Sequence, residues 1–176
     1  MRRCLVLGAA MCVWEDIEAA LKIGEYDAVI AAKLAGVAWP GELWAWYSLH
    51  PEWMPDHRQR RQARGYPEPR EVVANTKGPG VDRVLEPKWP GQVRSGASGM
   101  YAARGAILDG FDRVVLAGVP MLQQVGRIDG RKGWASAKTY QGPVMQARHH
   151  MAEKVRSVSG WTMEIFGAPT PEWLRG

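Results

Sequence analysis

The segment His50-Pro51-Glu52 places a histidine next to a carboxylate, directly after a predicted strand. Histidine titrates near neutral pH, so the pair could exchange a proton with a sugar hydroxyl or a phosphate. A purely structural alternative is that His50 ends the strand and Glu52 begins a helix. The two side chains would point the same way only if the chain stays extended through Pro51. Glu52 and Asp129 are further candidates for a general base, provided that burial raises their pKa values.

Two segments of small residues could hold an anion. One, Gly8-Ala9-Ala10-Met11, joins a predicted strand to a helix, and the other, Ser95-Gly96-Ala97-Ser98-Gly99, opens directly onto a later helix. Small residues let the backbone approach a ligand, and the free N–H groups of a helix amino end face it. The first segment lacks the glycines of a dinucleotide fingerprint and the lysine of a Walker motif. The structural alternatives are a packed turn in the first segment and helix capping by Ser98 in the second.

A basic loop with glycine hinges spans residues 121–142. Its Arg127, Arg131 and Lys132 could cover a phosphate when the loop closes, so we expect a mobile loop. The alternative is a surface loop without a role. Other cationic positions are expected to face solvent: His57 and the arginines of the polar segment 55–65, and the pair His149 and His150.

The order of elements predicts how these segments come together. Strands are predicted over 4–7, 26–32, 43–49, 113–117 and 161–166, and helices over 14–22, 55–65, 98–109 and 143–158, with a tail over 169–174. Residues 66–90 hold five prolines and two short β-prone pieces, around 72–73 and 81–85, and are expected to form an irregular insertion or flap. Strands alternating with helices indicate the α/β class. We therefore expect residues 1–176 to form a single Rossmann-like three-layer domain with a mostly parallel sheet.

Composition and charge favour some classes of ligand and binding partner over others. The 176 residues carry a net charge of +5 and nine tryptophans, which favours an anionic ligand and aromatic side chains in a groove or an interface. Tryptophans in an interface would be compatible with a homo-oligomer. No stretch has the length of a membrane span, and no helix-turn-helix, zinc or RNA-binding motif supports nucleic-acid binding. Acidic Glu15 and Asp16 argue against a signal peptide, and the two cysteines form no disulfide framework, so we expect a cytoplasmic protein.

The stretch SGMYAARGAILDGFDRVVLAGVPM, residues 98–121, resembles a segment of the small bacterial sialyltransferases. It is also similar to the wider Rossmann-like superfamily that includes motility-associated glycosylation factors and pterin pyrophosphokinases. Phage-encoded members share a glycine-rich first turn, an H-P-E after the third strand and a V-P-M like the one that ends in Pro120 and Met121. The resemblance implies a protein of a bacterial or phage-infected cell.

The resemblance also implies a nucleotide or nucleotide-sugar ligand, held by both small-residue turns and by Lys33, Pro120 and Met121. Lys33 stands about where the sialyltransferases use an asparagine, and residues 121–142 contain no histidine where those enzymes have their general base. Two functions stay open. The first is a glycosyl or nucleotidyl transferase with His50 and Glu52 as its catalytic pair. The second is a non-catalytic protein that binds or sequesters a nucleotide. No metal site is predicted, and Mg²⁺ is the one cofactor left open.

Overall fold

The computed structural model describes residues 1–176 and is built on one parallel β-sheet. Its strands are β1 (Arg3–Leu7), β2 (Ala28–Ala32), β3 (Ala45–Ser48), β4 (Val72–Ala74), β5 (Arg83–Val84), β6 (Arg113–Ala117) and β7 (Val155–Ser157). The helices are α1 (Val13–Ile23), α2 (Leu34–Ala38), α3 (Met54–Ala63), α4 (Ser98–Leu108), α5 (Ala137–Met151), α6 (Gly160–Phe166) and α7 (Pro171–Arg175), with a 3₁₀ turn over Pro51–Trp53. The strand order is β5-β4-β3-β2-β1-β6-β7.

Side chains of the central strands alternate between two buried cores. Cys4 and Val6 of β1 pack in the cluster that contains Tyr101 of α4. Leu5 and Leu7 pack on the opposite face. A sheet covered on both faces by helices is the three-layer arrangement of parallel α/β proteins. The predicted fold class, a Rossmann-like α/β domain, is confirmed.

The strand order reverses between β1 and β6. From β1 the sheet grows through β2 to β5 on one side, and α4 then carries the chain across to β6 on the other. The two strands pair as far as Leu7 and Ala117, and Gly8 and Gly118 follow them. A Cβ atom on either glycine would overlap the backbone oxygen of the other. Such a switch point opens a crevice at the carboxyl ends of the strands.

The helix predicted over 143–158 is displaced. In the structure α5 begins six residues earlier and contains Pro143 in its interior, and Val155 belongs to the edge strand β7. The helical spacing of apolar residues up to Met151 continues by coincidence to Val155, across a turn at 152–154. A strand of three residues is too short to show its own alternation.

The strand predicted over 161–166 is wrong, because this segment is the helix α6. Thr162 and Phe166 lie four residues apart and are both buried, which is helical spacing. The aromatic and β-branched residues of the segment favoured a strand. The helices α2 and α7 were not predicted, because five residues are too few for a periodic pattern.

Arg61 of α3 contradicts the expected solvated surface, because it is fully buried. Its guanidinium donates hydrogen bonds of 2.6–2.7 Å to four backbone carbonyl oxygens, those of Gly36, Trp39, Gly41 and Pro67. Burial lowers the pKa of Arg61. A guanidinium paired with carbonyl oxygens gives no hydropathy signal, so the sequence could not reveal it. These hydrogen bonds hold α3 against α2. Lys33 is the residue directly before α2.

Two of the histidines expected at the surface are covered. His57 is buried against Trp46, with 6.1 Å between ring centroids, and burial lowers its pKa. His150 is half-buried and stacks on Trp89 at 4.8 Å, whereas His149 is exposed as expected. The tryptophan partners lie far away in sequence, so helical periodicity alone could not predict these stacks.

Residues 66–90 contribute β4 and β5 to the sheet, and the rest of this segment is irregular. No helix in the molecule combines the length and the apolar character needed to cross a bilayer.

Candidate functional site

An open cleft of about 270 Å³ lies at the switch point. It is lined by the turns after β1, β2, β3 and β6 and by the amino end of α4. The predicted site residues that line it are Gly8, Ala9, Ala10, Lys33, His50, Gly96, Ala97, Ser98, Gly99, Pro120, Met121 and Arg127. Those that do not are Met11, Glu52, Ser95, Arg131 and Lys132. The roles assigned to all of these residues stay predictions.

The amino end of α4 presents unpaired donors to the cleft. Tyr101 is the first residue of α4 whose N–H is bonded, to the carbonyl oxygen of Ala97 at 3.0 Å. The N–H groups of Ser98, Gly99 and Met100 have no protein acceptor, and no side chain caps the helix. Helix capping by Ser98, the structural alternative, therefore does not occur. Free N–H groups and the helix dipole together attract an anion.

The turn after β1 is different, because its donors are already used. The N–H groups of Gly8, Ala10 and Met11 donate to the carbonyl oxygens of Ala117, Gly118 and Gly126 at 2.8, 3.2 and 2.8 Å. The Ile128 N–H donates back to Ala9 at 3.1 Å. The basic loop is thus hydrogen-bonded to this turn over residues 126–128. The turn offers small side chains to the cleft and few backbone donors.

A buried carboxylate supports the β6 side of the cleft. Asp16 of α1 is 5% exposed, and its Oδ2 accepts hydrogen bonds from the Gly118 N–H at 2.7 Å and from Ser159 Oγ at 2.6 Å. Cys12 Sγ lies 3.5 Å from the same oxygen. Burial and the Asp16 charge raise the pKa of the Cys12 thiol to about 11, so it is not a thiolate at neutral pH. The sequence analysis did not predict this role of Asp16.

Lys33 lines the cleft in a strained backbone conformation. Its φ of 50° and ψ of −123° fall where residues other than glycine are rare. Two hydrogen bonds fix this backbone: the Lys33 N–H donates to Tyr47 O at 2.9 Å, and Trp46 Nε1 donates to Lys33 O at 2.7 Å. Met121, at the carboxyl end of β6, is the other non-glycine residue with positive φ, and it also lines the cleft. Strain of this kind concentrates at functional sites.

The Lys33 ammonium lies against an aromatic ring. Its Nζ is 4.6 Å from the centroid of the Trp53 ring. Burial lowers the pKa of Lys33 to about 8, and the positive charges of Arg127 and Arg131 add to this effect. Because burial and like charges both disfavour the ammonium form, an anion bound in the cleft would restore it.

His50 and Glu52 are in contact. His50 Nδ1 lies 3.0 Å from Glu52 Oε1, and the imidazole stacks on Trp53 with 4.2 Å between centroids. We expected the two side chains to point the same way only if the chain stayed extended through Pro51. That expectation was wrong, because the chain forms the 3₁₀ turn there and the two side chains are nevertheless in contact. Hydrogen bonds from its own backbone N–H and from His50 lower the pKa of Glu52, which is therefore an ionised acceptor. Glu52 orients Nδ1–H toward itself and leaves Nε2 of His50 available.

Arg127 brings an incompletely bonded guanidinium to the cleft. Its Nε is buried and has no hydrogen-bond partner, with the nearest Asp129 oxygen 3.7 Å away. Asp129 also pairs with Arg131 at 3.3 Å. A buried N–H group without an acceptor is costly, so a bound anion that accepts from it would gain affinity.

Aromatic residues on the far side of the cleft were missed. Trp134 and Tyr140 line it and stack on each other, with 5.4 Å between centroids. Leu49 and Val125 add apolar surface. The only sequence signal was a tryptophan within a polar, glycine-containing loop, and the stack forms because α5 begins early enough to include Tyr140.

The carboxylates near the cleft do not form a metal site. No group of three or more histidine, cysteine, aspartate or glutamate side chains is placed to hold a metal ion. Glu52 is hydrogen-bonded to His50, and Asp129 is paired with Arg127 and Arg131. Mg²⁺ binding therefore stays a prediction, and a nucleotide would have to supply most of the ligands.

Comparison with known proteins shows similarity in structure only. No family model matches the sequence, and no curated protein matches it. Among solved structures, the sialyltransferase CstII of Campylobacter jejuni with a substrate analogue, CMP-3FNeuAc, superposes with a TM-score of 0.64. Identity is 12%, over 99% of this chain and 87% of that one. The same enzyme with a trisaccharide acceptor and CMP gives 0.63 at 9% identity, over 99% and 88%. The fold is sialyltransferase-like.

Proposed function

We propose that this protein binds a nucleotide or nucleotide sugar in the cleft and transfers a group from it, as glycosyltransferases do. The observation that carries the proposal is the amino end of α4. The N–H groups of Ser98, Gly99 and Met100 are unpaired, and Ser98 and Gly99 line a crevice at the carboxyl ends of parallel strands. That combination binds the phosphate of nucleotides in unrelated α/β proteins. The similar structures with CMP and a CMP-linked analogue support the same ligand class.

The small residues beside α4 leave room for the rest of the ligand. Gly8, Ala9 and Ala10 bring only short side chains to one wall, and Trp134 and Tyr140 form an apolar wall. A base or sugar can stack against such aromatic rings. The ligand would thus contact backbone donors at its phosphate and apolar surface elsewhere, as in most small-molecule sites.

His50 is the candidate general base. In a glycosyl transfer, the acceptor oxygen forms a bond to the anomeric carbon while the bond from that carbon to the phosphate oxygen breaks. The electron pair leaves with the phosphate, where the N–H groups of α4 stabilise the added charge. Nε2 of His50 takes the acceptor proton, and Glu52 holds the ring through Nδ1. His50 is the one histidine that lines the cleft.

Donor turnover in a single-residue variant tests the chemistry. We expect the wild-type protein to hydrolyse or transfer from at least one nucleotide sugar. His50→Ala should lower that turnover by about 10²–10⁴-fold with a small change in donor affinity. The matched control is His149→Ala, because His149 is exposed on α5 and away from the cleft. Full turnover by His50→Ala would remove His50 as the base.

The alternative function is a protein that binds a nucleotide without turning it over. It is favoured by the absence of any histidine in residues 121–142. A thermal-shift panel of nucleotides and nucleotide sugars, with and without Mg²⁺, separates the possibilities. Stabilisation by a nucleotide without turnover of any donor would support the binding protein. No stabilisation by any member of the panel would contradict both functions.

A further inference from the structure

The ring of Trp53 lies against the candidate base and against a lysine of the cleft. The His50 imidazole stacks on this ring with 4.2 Å between ring centroids and 12° between ring planes. The Lys33 Nζ atom lies 4.6 Å from the same indole centroid. His50 and Lys33 both line the cleft, whereas Trp53 does not. Trp53 therefore contacts two residues of the site from outside its lining.

The hydrogen bond between His50 Nδ1 and Glu52 Oε1 does not fix the imidazole by itself. The two atoms are 3.0 Å apart, but the side chains are 41% and 59% exposed. Water competes for both partners of such an exposed pair, so the pair contributes little to holding one geometry. One hydrogen bond also restrains a single ring atom and not the plane of the ring. Contact with the flat face of Trp53 restrains that plane, because stacked rings stay nearly parallel.

Trp53 is itself held in place by the fold. Its backbone N–H donates to the His50 carbonyl oxygen at 3.1 Å, within the 3₁₀ turn that leads into α3. His57 of α3 meets the indole in a T-shaped arrangement, with 6.4 Å between ring centroids. Burial lowers the pKa of His57, so this ring is neutral at pH 7 and packs as an aromatic group. The backbone and the side chain of Trp53 are therefore both supported in the free protein.

A second tryptophan connects this support to the sheet. Trp46 of β3 is fully buried and stacks on His57 with 6.1 Å between ring centroids. Its Nε1 donates to the Lys33 carbonyl oxygen at 2.7 Å. Lys33 is thus held at its backbone by Trp46 and lies against Trp53 with its ammonium group. The two tryptophans and His57 form a continuous series of contacts from the buried sheet to His50.

Orientation matters for a general base, because its accepting atom must lie within hydrogen-bond reach of the proton that it takes. In the proposed transfer this atom is Nε2 of His50. A misplacement of about 1 Å in a catalytic group can cost about 10²-fold in rate. Glu52 restrains the Nδ1 edge of the imidazole and Trp53 restrains its plane, so Nε2 keeps one direction.

We infer that Trp53 is a positioning residue for His50, and that its indole holds the imidazole so that Nε2 can accept the proton of the acceptor hydroxyl. This inference rests on the proposed function, in which His50 is the base, and adds a residue from outside the cleft. Trp53 takes no proton itself and acts only through the His50 ring. Its removal should therefore slow the chemical step and leave donor binding nearly unchanged.

Steady-state kinetics with the nucleotide sugar that wild type turns over test the inference. Trp53→Leu should lower kcat by about 10–100-fold and leave the donor KM within about threefold of wild type. Trp53→Phe keeps a flat ring and should restore kcat to within about fivefold. The matched control is Trp14→Leu, because Trp14 and Trp53 are both 42% exposed and Trp14 lies on α1 outside the lining. Trp14→Leu should leave kcat and KM unchanged.

NMR of the free protein tests the stacking without any turnover. An indole stacked on an imidazole shifts the ring-proton resonances of the imidazole upfield. The chain has four histidines, and His50→Ala identifies the His50 signals among them. These signals should move downfield in Trp53→Leu, move less in Trp53→Phe and stay in place in Trp14→Leu. Ellipticity and melting temperature establish that each variant is folded.

The outcomes separate the inference from the function on which it rests. Wild-type kcat in Trp53→Leu would overturn the inference and leave the proposed function standing, and so would His50 resonances that do not move. A raised donor KM with unchanged kcat would also overturn it, because Trp53 would then act on binding. Equal losses of kcat in Trp53→Leu and Trp53→Phe would show that a flat ring is not what His50 requires. Absence of turnover of every donor by wild type would contradict the proposed transferase, and the inference with it.

Discussion

The turns after β1 and before α4 are alike in sequence and opposite in structure. Each is a short run of glycine, alanine and other small residues that leads into a helix. In the first turn the N–H groups of Gly8, Ala10 and Met11 are bonded to backbone carbonyl oxygens. In the second, the N–H groups at the beginning of α4 have no protein partner. We call the first turn closed, because its N–H groups are bonded within the protein, and the second turn open, because its N–H groups are free to bind a ligand.

The difference comes from what each turn packs against. Gly8 touches the backbone of Gly118 at the switch point, and the loop at Gly126 reaches back to cover the same turn. At Gly99 the atoms nearest to an added Cβ all belong to the side chain of Val119. Small residues are therefore required for two reasons, close packing of backbones in the first turn and access to free donors in the second. Composition alone does not distinguish these reasons.

The largest effect that separates the two turns is on stability. Gly8→Ala should lower the free energy of unfolding by about 3–5 kcal/mol, because its Cβ would overlap the Gly118 carbonyl oxygen. Gly99→Ala should cost about 1–2 kcal/mol, because its Cβ meets Val119 methyl groups at 2.8–2.9 Å and a side chain can shift. Urea unfolding measures both.

The control for these alanine variants is Gly142→Ala in α5, where a Cβ meets nothing within 4 Å. It should cost less than Gly99→Ala, because helix propensity favours alanine whereas the ring of Pro143 disfavours a Cβ on the helical residue before it. Equal costs at Gly8 and Gly99 would show that the two turns are packed alike. In the structure, a Cβ at position 99 would be directed toward the side chain of Val119.

The next effect is on ligand affinity. Ser98→Asp should weaken nucleotide binding by about 100-fold, since a carboxylate at the first position of α4 competes with a phosphate for the same N–H groups. The same change should raise the free energy of unfolding by about 0.5–1 kcal/mol, because an acidic side chain suits a helix amino end. Affinity and stability should thus move in opposite directions.

Two variants control for size and for charge. Ser98→Asn keeps the shape of aspartate without its charge and should retain most of the affinity. Met11→Asp adds the same charge to the closed turn, at a side chain that is 54% exposed and outside the lining, and should change affinity by less than about threefold. A loss in Met11→Asp as large as that in Ser98→Asp would mean that the closed turn binds the ligand too.

A smaller effect concerns the pH dependence of stability at Lys33, beside both turns. The folded pKa is about 8 and the ordinary value is 10.5, so the unfolded chain binds more protons between these pH values. Stability contributed by this site therefore rises as pH increases from about 8 to 10.5. The charges of Arg127, Arg131, Glu52 and Asp129 act on the same ammonium.

Lys33→Met should remove that rise and stabilise the free protein at pH 7 by up to about 1 kcal/mol, a modest figure because solvent screens a half-exposed charge. Unfolding measured at pH 7 and pH 10 in wild type and variant checks the sign. Lys132→Met removes a lysine that does not line the cleft, so the stability of this variant should change with pH as it does in wild type. An unchanged slope in Lys33→Met would contradict the burial of this ammonium.

The fold was predictable wherever elements are long or buried on both faces. The apolar run of β1, the β6 run ending in Gly118 and the amphipathic α1 all lie within about two residues of their predicted positions. The short elements β7, α2 and α7 were not, because three to five residues carry no periodicity. Tertiary pairing decides their structure.

The location of the site could be predicted from the sequence better than the contacts within it. The rule that parallel strands end at one edge brings Lys33, His50 and Ser98 to one cleft. The sequence could not show that the β1 turn is closed by Gly126, because a hydrogen bond between distant backbones depends on no side chain. Likewise, nothing in the charged sequence of α3 indicates that Arg61 fixes α2 through carbonyl oxygens.

The smallest expected signal needs no substitution and tests the two turns directly. Amide hydrogen exchange should be fast at Ser98, Gly99 and Met100 in the free protein, because these N–H groups have no acceptor. It should be slow at Ala10 and Met11, whose N–H groups are bonded. A saturating nucleotide should slow exchange at the α4 amides and leave the β1 turn as it was. Slowing at both turns would show that the ligand bridges them, and slowing only at the β1 turn would reverse the assignment of open and closed.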